Sequence, residues 1–275
     1  MPGFDWDVVI VGSGPAGLSA GSALSCAGRR ILVLERDVFG GALQHVDWIA
    51  DYAAYPQGIS GADLATALLE HATADGMTLE QADVSGVEVF SQSRWVATSE
   101  GRGLSCGVVI LAGGSRFQRL GLAEEDRLRG RGIIDCTPCD AGFYIGKPVV
   151  VVGSGEYASR DQAYLHKLGV DVTMVPSVEA IVGQERVEAV VHAAQTIPAV
   201  GVAVRIGTEP NTQWLADLLE LDADGHIVVN EEFQTELRYV LAAGDIRVAN
   251  SGTVAGAIAD GEAAARRALA LLAEL

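Results

Sequence analysis

The chain has 275 residues, 49% hydrophobic and 20% charged, which is enough for one large or two modest domains around a sizeable core. A formal net charge of −17 without any Lys/Arg-rich stretch disfavours nucleic acid and anionic membrane surfaces as partners, because both present phosphate. No basic leader precedes an apolar stretch, and no apolar run approaches the ~18 residues of a membrane span, so a cytoplasmic protein whose four cysteines do not form a disulfide framework is expected.

Residues 7–35 read as strand, Gly-rich turn, helix, strand. The flanking runs are β-branched and continuous, as in parallel strands buried on both faces. A helix over 61–75 and several short strands through about residue 110 follow. Residues 147–175 repeat the first pattern, so two βαβ units lie about 140 residues apart, which points to two nucleotide-binding folds in one chain. Beyond them, 186–191, 200–206, 226–230 and 239–243 read as strands, and Asp224-Gly225 as a turn. Residues 252–275 form an Ala-rich helix. The fold class is therefore α/β, with two Rossmann-like, three-layer domains.

The first turn is Gly12-Ser13-Gly14-Pro15-Ala16-Gly17, between a strand and a helix. Gly12 allows the tight turn, Gly14 the approach of a pyrophosphate, and Gly17 the packing of helix on strand. The helix N-terminus then offers free N–H groups to an anion. Glu35 closes the second strand, 23 residues after Gly12 (35 − 12), where a ribose hydroxyl is held in such folds.

Cys136-Thr137-Pro138-Cys139 stands just before the second βαβ unit. Two thiols at this spacing close a small disulfide ring, and one thiolate of such a pair is readily stabilised. Zinc would need two further ligands. Cys26 and Cys106 are isolated, and no His-x3–5-His pair exists, so no metal is expected.

The second turn, Gly153-Ser154-Gly155-Glu156-Tyr157-Ala158, repeats the fingerprint, but the ribose position, 153 + 23 = 176, is Pro176. Neither a carboxylate for a ribose diol nor an Arg for a 2′-phosphate stands there.

Asp7 to Leu18 with Glu35, Gly40 and Gly41, the segment from Val108 to Ser115, and Val240-Leu241-Ala242-Ala243-Gly244-Asp245-Ile246 together resemble the FAD site of the low-molecular-weight thioredoxin reductases. Gly207-Thr208-Glu209-Pro210-Asn211-Thr212 matches a turn of that family, and the likeness covers nearly the whole chain. The resemblance implies FAD held by Gly12, Gly14, Pro15, Ala16, Gly17, Glu35, Arg36, Gly40, Gly41, Ala112, Gly113, Gly244 and Asp245. It implies a discontinuous FAD domain (1–115 plus 208–275) and a reduced NADPH-type domain (116–207) from which a basic loop, a helix and a strand have been deleted after residue 175. NAD(P)H is then expected to bind poorly. Cys139 would exchange electrons with flavin, Cys136 with the substrate sulfur, and Asp140 would move the proton. His45 and Trp48 follow the Gly40-Gly41 turn and could reach the flavin pocket.

The pattern also departs from the family, with Ala42 where Gln is usual and residues 250–254 where an Arg-Gln pair is usual. Three activities stay open: a dithiol oxidase using dioxygen, a thioredoxin-reductase-like enzyme fed by NAD(P)H or a protein donor, and a flavin-bound sensor without turnover. Oxidase relatives commonly carry His after the second cysteine, whereas this chain has Asp140. The resemblance implies a homodimer acting on a small dithiol or disulfide, or on a thioredoxin-like protein.

Overall fold

The computed structural model describes residues 3–275. The chain divides into two compact units, Met1–Ser115 with Pro210–Leu275, and Arg116–Glu209. The first leg builds β1 (Trp6–Val11), α1 (Pro15–Cys26), β2 (Ile31–Glu35), α2 (Gly61–Ala74), β3 (Thr78–Gln81), β4 (Val84–Val89), β5 (Arg94–Thr98) and β6 (Gly103–Leu111), and β7 (Ser115–Phe117) carries the chain into the second unit. The second unit adds α3 (Ala123–Arg127), α4 (Thr137–Asp140), β8 (Pro148–Val152), α5 (Glu156–Lys167), β9 (Asp171–Val175), β10 (Ala180–Val182), β11 (Ala189–His192), β12 (Gln195–Pro198) and β13 (Gly201–Val204). β14 (Thr208–Pro210) pairs with β7 and returns the chain to the first unit, which ends in β15 (Val240–Ala242) and α6 (Val254–Leu272).

The sheet of the first unit runs β3-β2-β1-β6-β5-β4. β3, β2, β1 and β6 are parallel, and β5 and β4 continue antiparallel. The N-terminal half of β6 pairs with β5, and its C-terminal half pairs in parallel with β15. Val8, Val9 and Ile10 of β1 and Val108, Val109 and Ile110 of β6 are fully buried, as their unbroken apolar runs require. The order reverses between β1 and β6, so their carboxyl ends open a crevice at a topological switch point. α1 and α6 cross closely, since a Cβ at Gly261 would stand 2.1 Å from the Ala16 carbonyl oxygen.

The second unit has a three-stranded parallel sheet, β13-β8-β9, and a three-stranded antiparallel sheet, β10-β11-β12. β8 is buried along its apolar run, as expected. β9 is not buried on both faces. Asp171, Thr173 and Met174 are exposed, because β9 is the edge of a sheet of only three strands and the chain passes from Val175 straight to β10. Residues 226–230 form no strand either. Ile227 makes single bridges to Leu221 and Arg247 only. β11 starts at Ala189 rather than 186, because the Val187 N–H donates to the Arg131 carbonyl instead of a ladder partner.

The β11–β12 hairpin turns on Ala193 (φ 48°) and Ala194 (φ 60°), two non-glycine residues in the left-handed region. Two-residue hairpin loops favour that geometry because it matches strand twist, but Gly and Asn adopt it more easily than Ala. The Glu179 carboxylate accepts from both turn N–H groups, at 2.9 and 3.4 Å. Ala194→Gly is therefore expected to stabilise the chain by about 1 kcal/mol, measured as a higher denaturant midpoint at unchanged slope.

Candidate functional site

The crevice at the ends of β1 and β6 is built on close backbone contacts. Gly12 has φ 106°, and a Cβ there would lie 2.3 Å from the Ala112 carbonyl oxygen. A Cβ at Gly17 would lie 1.9 Å from the Gly12 carbonyl oxygen. Gly14, by contrast, has nothing within 4 Å of its Cβ position, so the turn leaves room there for a ligand. Pro15 is the first residue of α1, where its missing N–H costs nothing, and the helix start faces this space. Gly40 (φ 100°) and Gly41 (φ 57°) close in from the far side, Gly41 lying within 3.1 Å of the Gly14 Cα on the same Cβ test.

Ser13 joins these pieces, and no sequence motif announces its role. It is fully buried, and its N–H and Oγ both donate to Glu35 Oε2, at 2.9 and 2.8 Å. Its carbonyl and Oγ accept from the Gly40 N–H, at 3.1 and 3.2 Å. Glu35 also accepts from the Asp37 N–H through Oε1. A carboxylate has about four acceptor positions, so Glu35 keeps capacity for a ribose hydroxyl. Arg36 is exposed and pairs with Asp37 at 3.0 Å.

The third part is Gly244-Asp245. Gly244 (φ 78°) packs against Ala16, and its N–H donates to Asp260 Oδ2 at 3.0 Å. Asp260 also accepts from Arg247 Nε and Nη2, both at 2.7 Å, which fixes α6 against this turn. Asn211 donates to the Gly113 carbonyl at 2.8 Å. Burial, then the nearby Asp260 charge, pushes the Asp245 pKa up, while His226 and the Ser115 hydroxyl pull it partly back. A carboxyl whose folded pKa is raised binds its proton more tightly when folded. Its ionisation therefore opposes folding increasingly as pH rises above the unfolded value. Asp245→Asn is expected to raise the melting temperature of the flavin-free protein at pH 7, and the gain should vanish as pH falls towards 3.8. Melting curves of both forms at pH 7 and pH 4 check this.

His45 closes a short 3-10 turn after Gly40, and the exposed Trp48 lies over Gly58, so Trp48 covers its own loop.

The dithiol lies in the second unit. Cys136 and Cys139 are joined in a disulfide with their Cα atoms 5.3 Å apart. Cys136 is the N-cap of α4, and its sulfur accepts from the Cys139 N–H at 3.2 Å, the arrangement that stabilises a thiolate once the pair is reduced. Asp140 is the last residue of α4, and its charge, after burial, helps push the Tyr144 phenol up. Thr137 is buried inside the motif and is held by Asp161 and Arg205, two further residues with no signature in the sequence.

The second Gly-rich turn is formed at the end of β8. A Cβ at Gly153 (φ 141°) would lie 2.2 Å from the Arg205 carbonyl oxygen. A cleft of about 260 Å³ adjoins it, lined in part by Ser154, Gly155, Pro176 and Arg205. Among the described residues, no group of three His, Cys, Asp or Glu could hold a metal ion, and no helix is long and apolar enough to cross a membrane.

The family model for pyridine nucleotide-disulphide oxidoreductases matches residues 6–176 and 156–261. The chain belongs to the pyridine nucleotide-disulphide oxidoreductase family. Within that family it is similar to the thioredoxin reductase of Treponema pallidum, 31% identical over 297 aligned positions that cover 96% of each chain. It shares its fold with the thioredoxin reductase of Lactococcus lactis, at TM-score 0.89 and 24% identity, covering 98% of this chain and all of the other. The ferredoxin-flavin thioredoxin reductase of Clostridium acetobutylicum is 28% identical with TM-score 0.59, covering 98% of this chain and 99% of that one.

The chain is thus a thioredoxin-reductase-like flavin disulfide oxidoreductase, and the cofactor of its family is FAD. The first crevice fits that group, with open space over Gly14 beside a helix start, a ribose-side carboxylate and a partly buried Asp. The second turn does not fit the family's NADPH. Pro176 lines the cleft at the ribose position, and Arg205, the cation in its lining, is already paired with Asp161 at 2.6 Å.

Proposed function

We propose that this chain is an FAD-dependent dithiol oxidase, which converts a substrate dithiol to a disulfide through Cys136 and Cys139 and delivers the electrons to dioxygen. The observation that carries the reading is an intact dithiol motif and flavin cradle in a chain whose second nucleotide site has Pro176 at the ribose position and no crossover helix after β9. The usual nicotinamide source is thereby removed while the thiol chemistry is kept. The FAD domain comprises residues 1–115 and 208–275, and the reduced domain 116–207 carries the dithiol.

FAD would be held by Gly12, Gly14, Pro15, Ala16, Gly17, Glu35, Arg36, Gly40, Gly41, Ala112, Gly113, Gly244 and Asp245. Bound there, it supplies a two-electron acceptor that the polypeptide lacks. A substrate thiolate attacks Cys136, opening the Cys136–Cys139 disulfide, and the second substrate thiol resolves the mixed disulfide. Asp140 takes and returns the proton as the leaving thiolate forms. Cys139, the second cysteine of the pair, is the sulfur that passes the electrons to the flavin. The substrate is a small dithiol or a thioredoxin-like protein, and the enzyme works in the cytoplasm as a homodimer.

Asp140 after the second cysteine, rather than His, favours a second reading. In it the chain reduces a disulfide with electrons from a protein donor, as the name of the Clostridium acetobutylicum relative states for that enzyme. Anaerobic titration of the flavoprotein separates the two. The oxidase is expected to bleach with dithiothreitol but not with NADPH or NADH, and to form about one peroxide per dithiol on readmitting air. Rapid bleaching by NADPH overturns it. Bleaching by reduced ferredoxin, with sluggish reoxidation in air, establishes the second reading instead.

A further inference from the structure

Arg205 and Asp161 stand 44 residues apart and belong to no motif, yet both converge on Thr137, one of the two residues between the redox cysteines. Arg205, at the end of β13, is 3% exposed, and Asp161, on α5, is 14% exposed. Arg205 Nε donates to Asp161 Oδ2 at 2.6 Å, and the same oxygen accepts the Thr137 hydroxyl. Arg205 Nη2 reaches the Thr137 Oγ1 at 2.9 Å and the Asp135 carbonyl at 3.2 Å. Its Nη1 reaches the Ile134 and Val204 carbonyls at 3.4 and 2.8 Å. Cys136 is therefore bracketed, with its preceding carbonyls and its following side chain bound to one guanidinium. The guanidinium carbon also lies 4.1 Å from the centre of the Phe117 ring, which meets the Tyr157 ring edge to face at 5.3 Å.

A buried arginine has five donors in a rigid fork and keeps its charge, so it is costly unless each donor finds an acceptor. Here the acceptors come from the dithiol turn and from the counter-ion that also holds that turn. The network exists with the sulfurs joined, so it favours the backbone conformation in which they can join. A turn held in that conformation raises the effective concentration of one thiol at the other.

We propose that Arg205, through Asp161 and Thr137, is the positioning device that sets how readily the Cys136–Cys139 disulfide closes. It touches neither sulfur in the bonds described and acts on the turn that carries them. The inference rests on the dithiol being the redox centre of the proposed function, but it is read without the flavin. Closing the bond releases two electrons and two protons, which oxidised dithiothreitol takes up as it opens to its dithiol.

The test equilibrates full-length protein with dithiothreitol redox buffers, quenches with acid, alkylates, and counts thiols by mass. Thr137→Val removes the hydroxyl at nearly constant volume and is expected to lower the equilibrium constant for disulfide formation about tenfold, a shift of about 30 mV for a two-electron couple. Thr137→Ser keeps the hydroxyl and should stay within about twofold of the parent, a rescue that a purely volumetric role does not give. Arg205→Met should match Thr137→Val, and the double variant should fall short of the product of the two, since both act in one network. If Arg205→Met does not fold, the Val and Ser pair decides. Equal constants for Thr137→Val and the parent, or equal shifts for Val and Ser, overturn the proposal. A parent whose flavin is not bleached by dithiol overturns the proposed function instead and leaves this equilibrium readable.

Discussion

Cys139→Ser is expected to leave a folded, yellow protein whose flavin no longer bleaches when dithiothreitol is added without air. The rate should fall by about 10³-fold or more, because a hydroxyl neither forms the disulfide nor ionises near neutral pH. No other sulfur can substitute. The chain has four cysteines, and both of the others are in the first unit. Cys106 is fully buried, and burial pushes its thiol up to about 12, so it stays protonated. Cys26 lies at the exposed end of α1, and local desolvation, then the hydrogen bond and charge of Asp75, raise its pKa as well. The fold itself should survive, since the Cys139 N–H bond to Cys136 uses backbone on the altered side. Stopped-flow absorbance at the flavin band measures the loss. Bleaching at the parent rate would show that electrons reach the flavin without this pair.

A contrast between three glycines should be almost as large. Gly17→Ala places a methyl 1.9 Å from the Gly12 carbonyl oxygen, and Gly12→Ala places one 2.3 Å from the Ala112 carbonyl oxygen at φ 106°. Both obstacles are backbone, so the strand, turn and helix must separate, at a cost on the order of 3 kcal/mol or more. These variants should lose flavin and also melt earlier as apoproteins. Gly14→Ala meets nothing within 4 Å, so its apoprotein should melt like the parent. Its methyl instead occupies the space left for a pyrophosphate, and FAD affinity should fall about 100-fold or more. The ratio of flavin to protein absorbance after gel filtration, beside apoprotein melting, separates the two effects. Retention of flavin by Gly14→Ala at parental affinity would remove the pyrophosphate from that turn.

Local features carried much of this reading. The unbroken runs 8–11 and 149–152 had to become buried parallel strands, and the glycines between strand and helix had to become tight turns. Pro176 was equally plain, because a fixed offset from Gly153 identifies the ribose position. The exposure of β9 is not legible locally, since Val172, Thr173 and Val175 give it β-branched strand composition and its place at the edge of a three-stranded sheet exposes it. Residues 226–230 have strand composition, but Ile227 found isolated bridges rather than a ladder. Ser13 sits inside a legible motif, yet its bonds to Glu35 and Gly40 span 22 and 27 residues. The Arg205 network spans 44 and 68 residues, and no periodicity links such partners. Buried polar side chains find one another through the finished fold, and one chain alone does not reveal the pairing.

The discontinuity of the first unit also orders events during synthesis. β15 completes the pairing of β6 about 130 residues after β6 has emerged, and α6, which packs on α1, is made later still. The inserted unit, residues 116–209, is complete well before that and can fold as a unit while the ribosome is still working. Gly244 and Asp245 reach the crevice only with the final segment. Flavin capture thus waits for residues 240–246, and the newborn dithiol meets the thiols of its surroundings before the crevice for its cofactor is complete.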